Sequence, residues 1–293
     1  MEELKLRWEA TFNRIYYSLK LAGNSLDRRE MLRILTENTH KKIDSSLEAV
    51  IKYKAAQDYI FQNWLGSQHS VDAQALIDLH KIIGDGKVRI PKAGLQYLLD
   101  YLQARPLTSE RSDGGRAKSE NPIIRAAIIN IEIEKMQLFS EHVLEIANLS
   151  SLLFLYKYGY DMRGFLAYEA EWDEENEDEY RENRRRAVET TSLTLWLEYF
   201  ASSMLKQIER IRQSIEKSKS SVLGLRESFW KLNERQKSIL SLLDQPQITI
   251  TNRQVQKRYK ISQITASRDL AKLESLGFLF SHGKGRSVYY TKI

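Results

Sequence analysis

The chain has 293 residues, 42% hydrophobic and 29% charged, a globular balance with length for two or three domains of roughly 100–150 residues each. Only 13 glycines and 4 prolines interrupt it, which favours a mainly α fold; the lack of cysteine excludes a disulfide framework, a thiol nucleophile, a thiolate zinc site and an iron–sulfur cluster. The net charge of +6 is uneven: from Leu232 onward there are 11 Lys/Arg against 4 Asp/Glu, and the preceding 231 residues carry 34 against 35.

Leu4, Trp8, Phe12, Ile15 and Leu19 recur at spacings of three and four, the stripe of an amphipathic helix that Ala22-Gly23-Asn24 ends. Ser25-Leu26-Asp27-Arg28 opens the next helix, and Ile43 to Leu65 reads as a third. Ser70-Val71-Asp72-Ala73 starts a fourth through Leu76, Leu79, Ile82 and Ile83, broken by Gly84-Asp85-Gly86. Residues 105–121 are polar with an internal Gly-Gly, a loop. Asn121-Pro122 opens a long helical stretch in which apolar residues continue from Ile123 to Tyr158 before Gly159. An acidic run (Glu169, Glu171, Asp173, Glu174, Glu175, Glu177, Asp178, Glu179) and Arg184-Arg185-Arg186 read as solvated faces of a surface helix or loop. Thr194 begins a helix running to about Ser218, and a further one is expected over 221–230.

The basic C-terminal segment has its own order. Asn233 caps a helix with Ile239, Leu242 and Leu243 on its stripe; Ile248-Thr249-Ile250 is β-like; Thr251 caps a second helix that ends before Ile261; Ser262 caps a third, with Ala266, Leu270 and Leu273 inward and Gly277 closing it. The tail FLFSHGKGRSVYYTKI reads as a hairpin turning at Gly-Lys-Gly. This is the order of a winged helix-turn-helix. SQITASRDLAKLESLG resembles the S-x-x-T-A-x-R-D-L-x-x-L-x-x-x-G run of bacterial winged-helix domains. In such a domain Ser262, Gln263, Thr265, Ser267 and Arg268 open the recognition helix, where side chains reach base edges in the major groove. Arg253, Lys257, Arg258 and Lys260 are placed for phosphates, and His282, Lys284 and Arg286 for the wing. A localised basic excess suits a polyanion, here double-stranded DNA; the alternative is a winged helix that contacts only protein.

The first 220 residues carry a second resemblance. NPIIRAAIINIEIEKMQLFSEHVLEIANLSSLLFLYKYGY resembles the core of the Fic family, whose members transfer AMP or another phosphate-bearing group from a nucleotide to a protein hydroxyl. Asn121-Pro122-Ile123, Ala126, Ala127, Glu134, Phe139, Glu141 and Gly159 fall in register with that core. ALIDLHKII resembles the family helix ending in Leu-His, TLWLEYF its T-x-W-x-x-F-F segment, and SLKLAGNSL its inhibitory S-x-x-x-E-G-N signature. Together they span about residues 5–215. The resemblance implies a helical Fic-like bundle followed by the winged helix: 1–66 as an N-terminal helical region, 67–220 as the Fic-like core, 221–293 as the DNA-binding domain.

The family motif H-P-F-x-[DE]-G-N-G-R-x-x-R falls on residues 137–148, and most of its chemistry is missing. The position of the general-base His holds Gln137, whose amide takes no proton near pH 7. The two phosphate-cradling glycines are His142 and Leu144, and the Asn between them is Val143. The first phosphate-binding Arg is Glu145, which repels phosphate, and the second is Asn148. Phe139 is kept, and so is Glu141, where the family holds Mg²⁺; a single carboxylate makes a weak site for that ion. In the inhibitory signature, Ser18, Gly23 and Asn24 are kept, but the Glu that pairs with the second Arg is Ala22. Both partners of that pair are thus absent. The substrate flap of the family has no full counterpart between His80 and Asn121, with Lys87-Val88-Arg89-Ile90 as its remnant. His80 and the helically spaced Trp and Tyr residues read as structural; His142 reads as capping or packing rather than as a displaced base.

No P-loop, H-E-x-x-H or G-x-S-x-G is present, and five scattered histidines give no metal spacing. No apolar run reaches the about 18 residues of a membrane span, and the charged start MEELKLRWEA carries no apolar leader core, so a cytoplasmic protein is expected. Three readings follow. The first is a homodimeric DNA-binding regulator with an inactive Fic-like scaffold and no cofactor. The second is a nucleotide-dependent transferase with an altered site. The third is an antitoxin-like module that binds a protein partner.

Overall fold

The computed structural model describes residues 2–36, 45–89, 91–104, 121–161, 163–172, 175–217, 232–243, 248–276, 278–283 and 288–292. It is mainly helical, and the chain divides into two compact units.

The larger unit comprises Ala10–Leu26 and Asp44–Gln213. It holds most of α1 (Glu2–Leu21), then α3 (Ser45–Trp64), α4 (Ala73–Ile83), α5 (Lys92–Gln103), α6 (Pro122–Lys135), α7 (Val143–Lys157), a 3-10 turn (Tyr168–Trp172), α8 (Glu177–Glu189) and most of α9 (Thr194–Lys217). At its centre lies α7, in which every residue from Ile146 to Tyr156 is buried. A helix buried on all sides has no solvent face to offer, and α6, α3 and α4 pack around it. The capping chemistry is local. Asp72 accepts from the Ala75 N–H at 2.8 Å to start α4, and Asn121 accepts from the Ile123 N–H at 2.9 Å with Pro122 behind it to start α6. An aromatic cluster of Tyr168, Trp172, Tyr180, Trp196 and Phe200, all buried, joins the 3-10 turn, α8 and α9.

The structure adds to the sequence reading in three places. The stretch from Ile123 to Tyr158, in which the sequence leaves open whether 137–148 is loop or continuous helix, is two helices, because residues 136–142 leave helical geometry with Gln137 at φ +47° and His142 at φ +57°. The acidic run is not wholly solvated: Glu169 and Glu171 sit in the 3-10 turn and are buried, as is Arg184 of the basic triplet. Finally, α5 follows Gly84-Asp85-Gly86, in a segment to which the sequence reading assigned no element.

The second unit comprises Met1–Glu9, Asp27–Ile43 and Ser214–Ile293. It contains α2 (Arg28–Thr36), α10 (Glu234–Leu242), β1 (Ile250–Thr251), α11 (Asn252–Tyr259), α12 (Gln263–Ser275), β2 (Leu279–His282) and β3 (Tyr289–Lys292). The antiparallel sheet has the order β1-β3-β2, with Ile250 opposite Tyr290 and Phe280 opposite Thr291. Ile239, Leu240, Val255, Ala266, Leu270, Leu273, Phe278 and Leu279 form its core. Asn233 with Gln236 and Thr251 with Gln254 make reciprocal capping boxes, so α10 and α11 start where the sequence places them. Lys260 in the left-handed region turns the chain from α11 into α12. The helix expected over 221–230 lies outside the described residues.

Candidate functional site

Two regions carry the residues that the sequence singles out. The first is the loop 136–142 leading into α7. The amide of Gln137 is exposed and bends back to donate to the Glu134 carbonyl at 2.9 Å. Leu138 and Phe139 are buried and turn the loop inward. Phe139 forms a β-bridge with Val88, and the Arg89 N–H donates to the Leu138 carbonyl at 2.8 Å, so Lys87-Val88-Arg89 lies along the loop. Ile90 lies outside the described residues.

His80 clips this arrangement together. Its Nδ1 accepts from the Gly86 N–H at 3.0 Å, which leaves Nε2 as the donor to the Glu141 carbonyl at 3.1 Å. The ring stacks on Phe139 with centroids 3.9 Å apart and planes 3° from parallel. Burial pushes His80 below the ordinary imidazole range, in keeping with this neutral tautomer. Gly84 lies against the clip: a Cβ there would come within 2.8 Å of His80 Cε1.

His142 occupies the cap position of α7 without a side-chain capping bond. Its Nδ1 instead meets Glu145 Oε1 at 3.0 Å, and that bond pushes the imidazole above its usual range against the effect of burial. Val143 and Leu144 form the first turn of α7, half-buried. The side chain of Glu145 is only 13% exposed, and it faces the start of the helix with negative charge. Glu141 is exposed. Among the described residues, no group of three or more acidic, His or Cys side chains could hold a metal, so the donor set around Glu141 does not fit Mg²⁺.

Helices α1 and α7 meet in the interior. Asn148 Nδ2 donates to Ser18 Oγ at 3.1 Å, across 130 residues of chain. Asn130 Nδ2 donates to Asn148 Oδ1 at 3.0 Å and to Ser151 Oγ at 3.1 Å, while Arg184 Nη1 donates to Asn130 Oδ1 at 2.7 Å and its Nε pairs with Glu134. A neutral amide–hydroxyl pair thus occupies the place where α1 approaches α7. Ala22 ends the helix, Gly23 follows at φ +90°, and Asn24 ties the turn by donating to Ser46 O at 3.1 Å and accepting from Leu26 N–H at 3.0 Å.

The second region is the outer face of α11 and α12. Ser262 caps α12 by accepting from the Thr265 N–H at 3.2 Å, and its hydroxyl also bonds that of Thr265, which is half-buried. Gln263, Ser267 and Arg268 are exposed on the face opposite Ala266, Leu270 and Leu273. Ile264 lies among them at 65% exposure; the sequence reading passed over it because an apolar residue in a helix reads as core. Asn252 donates to Ser267 Oγ at 2.8 Å and bridges the two helices. Arg253, Lys257, Arg258, Lys260 and Arg268 are exposed and have no acidic partner among the described residues, whereas Arg181, Arg185 and Arg186 of α8 are all paired. Beneath this face, Asp269 accepts from Arg235 Nε at 2.5 Å and from Gln236 Nε2 at 2.8 Å, fixing α12 to α10. On β2, His282 stacks on Tyr289 and bonds Thr291 Oγ1 at 2.8 Å. Lys284 and Arg286 lie outside the described residues.

No family model matches the sequence, and no curated protein is similar to it at a meaningful level. Solved structures are similar. A Fic family protein from Desulfovibrio desulfuricans G20 superimposes with a TM-score of 0.58 over 99% of this chain and 88% of its own, at 13% identity. Fic-1 from C. elegans gives 0.58 over 73% and 66%, at 18% identity. A Fic domain containing signaling protein from Bacteroides thetaiotaomicron gives 0.58 over 76% and 93%, at 16% identity. At such identities the likeness establishes architecture, and the architecture is a Fic-like helical fold.

Proposed function

We infer that the chain is a DNA-binding regulator in which the helical unit is a scaffold without nucleotidyl-transfer activity and the C-terminal segment, residues 221–293, is a winged helix that reads DNA. The observation that carries this reading is the face of α11 and α12: five exposed cations without acidic partners among the described residues, beside the exposed polar groups of Gln263 and Ser267, on a unit whose helix and strand order is that of a winged helix. Arg268 and Gln263 would reach base edges, Ile264 would meet a thymine methyl, and Arg253, Lys257, Arg258 and Lys260 would hold phosphates. Lys284 and Arg286, outside the described residues, would serve the wing. Two copies would read an inverted repeat.

The inactive scaffold is supported by chemistry at α7. Loss of the base alone costs roughly 10²–10⁴ in rate. Gln137 bonds its own helix end, and Glu145 puts a carboxylate where a phosphate would need a cation. The Ser18–Asn148 bond replaces an ionic pair by a neutral one, which avoids burying a lone charge. Selection of fragmented genomic DNA on the purified protein at about 150 mM salt tests the reading, since phosphate contacts alone give salt-sensitive, sequence-blind binding. Enrichment of a few related fragments, lost with Arg268→Ala/Gln263→Ala, is the expected result. No enrichment, or labelling of protein by radioactive ATP and Mg²⁺, would overturn it.

A further inference from the structure

Helix α9 has two faces of different fate. Trp196, Phe200, Ser203, Met204 and Gln207 are buried in the helical unit. A second stripe, rotated by about a third of a turn, runs Glu198, Ala201, Leu205, Ile208, Arg212 at alternating steps of three and four. Leu205 is 56% exposed and Ile208 46%. Spacing of this kind suits the seam of a two-helix coiled coil, with two large aliphatic residues side by side in water at its centre.

We propose that this stripe is a self-association surface, on which α9 pairs antiparallel with α9 of a second copy of the chain. The argument for a second copy is that the stripe is complementary to its own reverse. With Leu205 set opposite Ile208 of the other copy, the two-fold axis puts two Leu–Ile layers at the centre. Arg212 then meets Ala201 of the other copy, small enough to leave room, and lies one turn from its Glu198. Acid and base therefore approach on both sides of the axis. A parallel pairing in register would instead stack Glu198 on Glu198 and Arg212 on Arg212, like on like. The pairing would supply the two-fold that an inverted-repeat site requires, yet it is measured without DNA, so the two readings stand or fall separately.

The test is sedimentation equilibrium on the full chain at 1–100 µM protein, concentrations of the order at which modest interfaces associate. The wild type should be a dimer. Leu205→Glu/Ile208→Glu should raise the dissociation constant by more than about a hundredfold with an unchanged circular dichroism spectrum, because two charges replace the central layers. Tyr97→Glu/Tyr101→Glu, an equally exposed pair on α5, should leave the dimer intact. A monomeric wild type, or a dimer indifferent to the α9 pair, overturns the proposal. Orientation is read by disulfide trapping, which the absence of native cysteine makes clean. Ala201→Cys mixed with Arg212→Cys should cross-link. Neither alone should, since like positions lie about 16 Å apart along an antiparallel pair. Cross-linking by each variant alone, and not by the mixture, would refute the antiparallel arrangement.

Discussion

Replacing Asp269 by alanine should loosen the C-terminal unit selectively. Asp269 is 4% exposed and its carboxylate accepts from Arg235 and Gln236, so it ties α12 to α10 through an ion pair and a second hydrogen bond to the same charged group. Net values of about 1.5–3 kcal/mol for each bond to a charged group, taken at the low end because Arg235 is partly exposed, with the Gln236 amide left buried and short of a partner, put the loss at about 3 kcal/mol. A small domain has only about 5 kcal/mol to lose, so its open population should rise roughly a hundredfold. Hydrogen exchange on the full chain reads this directly. Amides of α10 and α12 should exchange about a hundredfold faster while those of α7 are unchanged, because opening is local to the unit. Asp269→Asn keeps an acceptor for Gln236 and should lose about half as much. If Asp269→Ala left exchange in α10 and α12 within threefold of the wild type, the idea that this pair fixes α12 to α10 would fail.

Other expectations follow from titration and charge. Burial pushes Glu169 up to about 8 from an ordinary 4.5, so the folded chain holds a proton that the unfolded chain releases. Its contribution is complete below about pH 4.5 and is lost as pH rises toward 8; Glu169→Gln should flatten that slope and exceed the wild type by several kcal/mol at pH 8, and identical melting profiles would count against it. Glu145→Gln should bring the His142 imidazole down, since the carboxylate bond is what raises it, while His80 continues to titrate below its ordinary value; ring-proton shifts against pH distinguish the two histidines. If Lys257 contacts a phosphate, Lys257→Ala should weaken DNA binding equally on all sequences and reduce the slope of log affinity against log salt by about one.

Local chemistry is what the sequence discloses best. Asn121-Pro122, Asp72, Asn233, Thr251 and Ser262 start their helices as read, because a cap is a bond between neighbours in the chain. The sequence leaves open whether 137–148 is a loop or a continuous helix, because Leu138 and Phe139 continue the apolar pattern of the helices beside them; Phe139 bridges to Val88, some fifty residues away. The burial of Glu169 and Glu171 was hidden. Neighbouring acids suggest a solvated run, and only the fold supplies Arg14 near Glu169 and Arg210 at 3.0 Å from Glu171. Motif positions were legible as substitutions. That Ser18 and Asn148 bond each other was not, since the partners lie 130 residues apart.

The central claim, that the exposed half of α12 reads base sequence, is tested most directly by equilibrium anisotropy at about 150 mM salt. The fragment recovered from the genome would be compared with a scrambled duplex of the same length, for the wild type and for Arg268→Ala/Gln263→Ala. The wild type should prefer its site by at least about 10³, the lower end for specific readers, and the variant should lose that preference while binding scrambled DNA nearly as before. Equal affinity of the wild type for both duplexes, or undiminished preference in the variant, would contradict it.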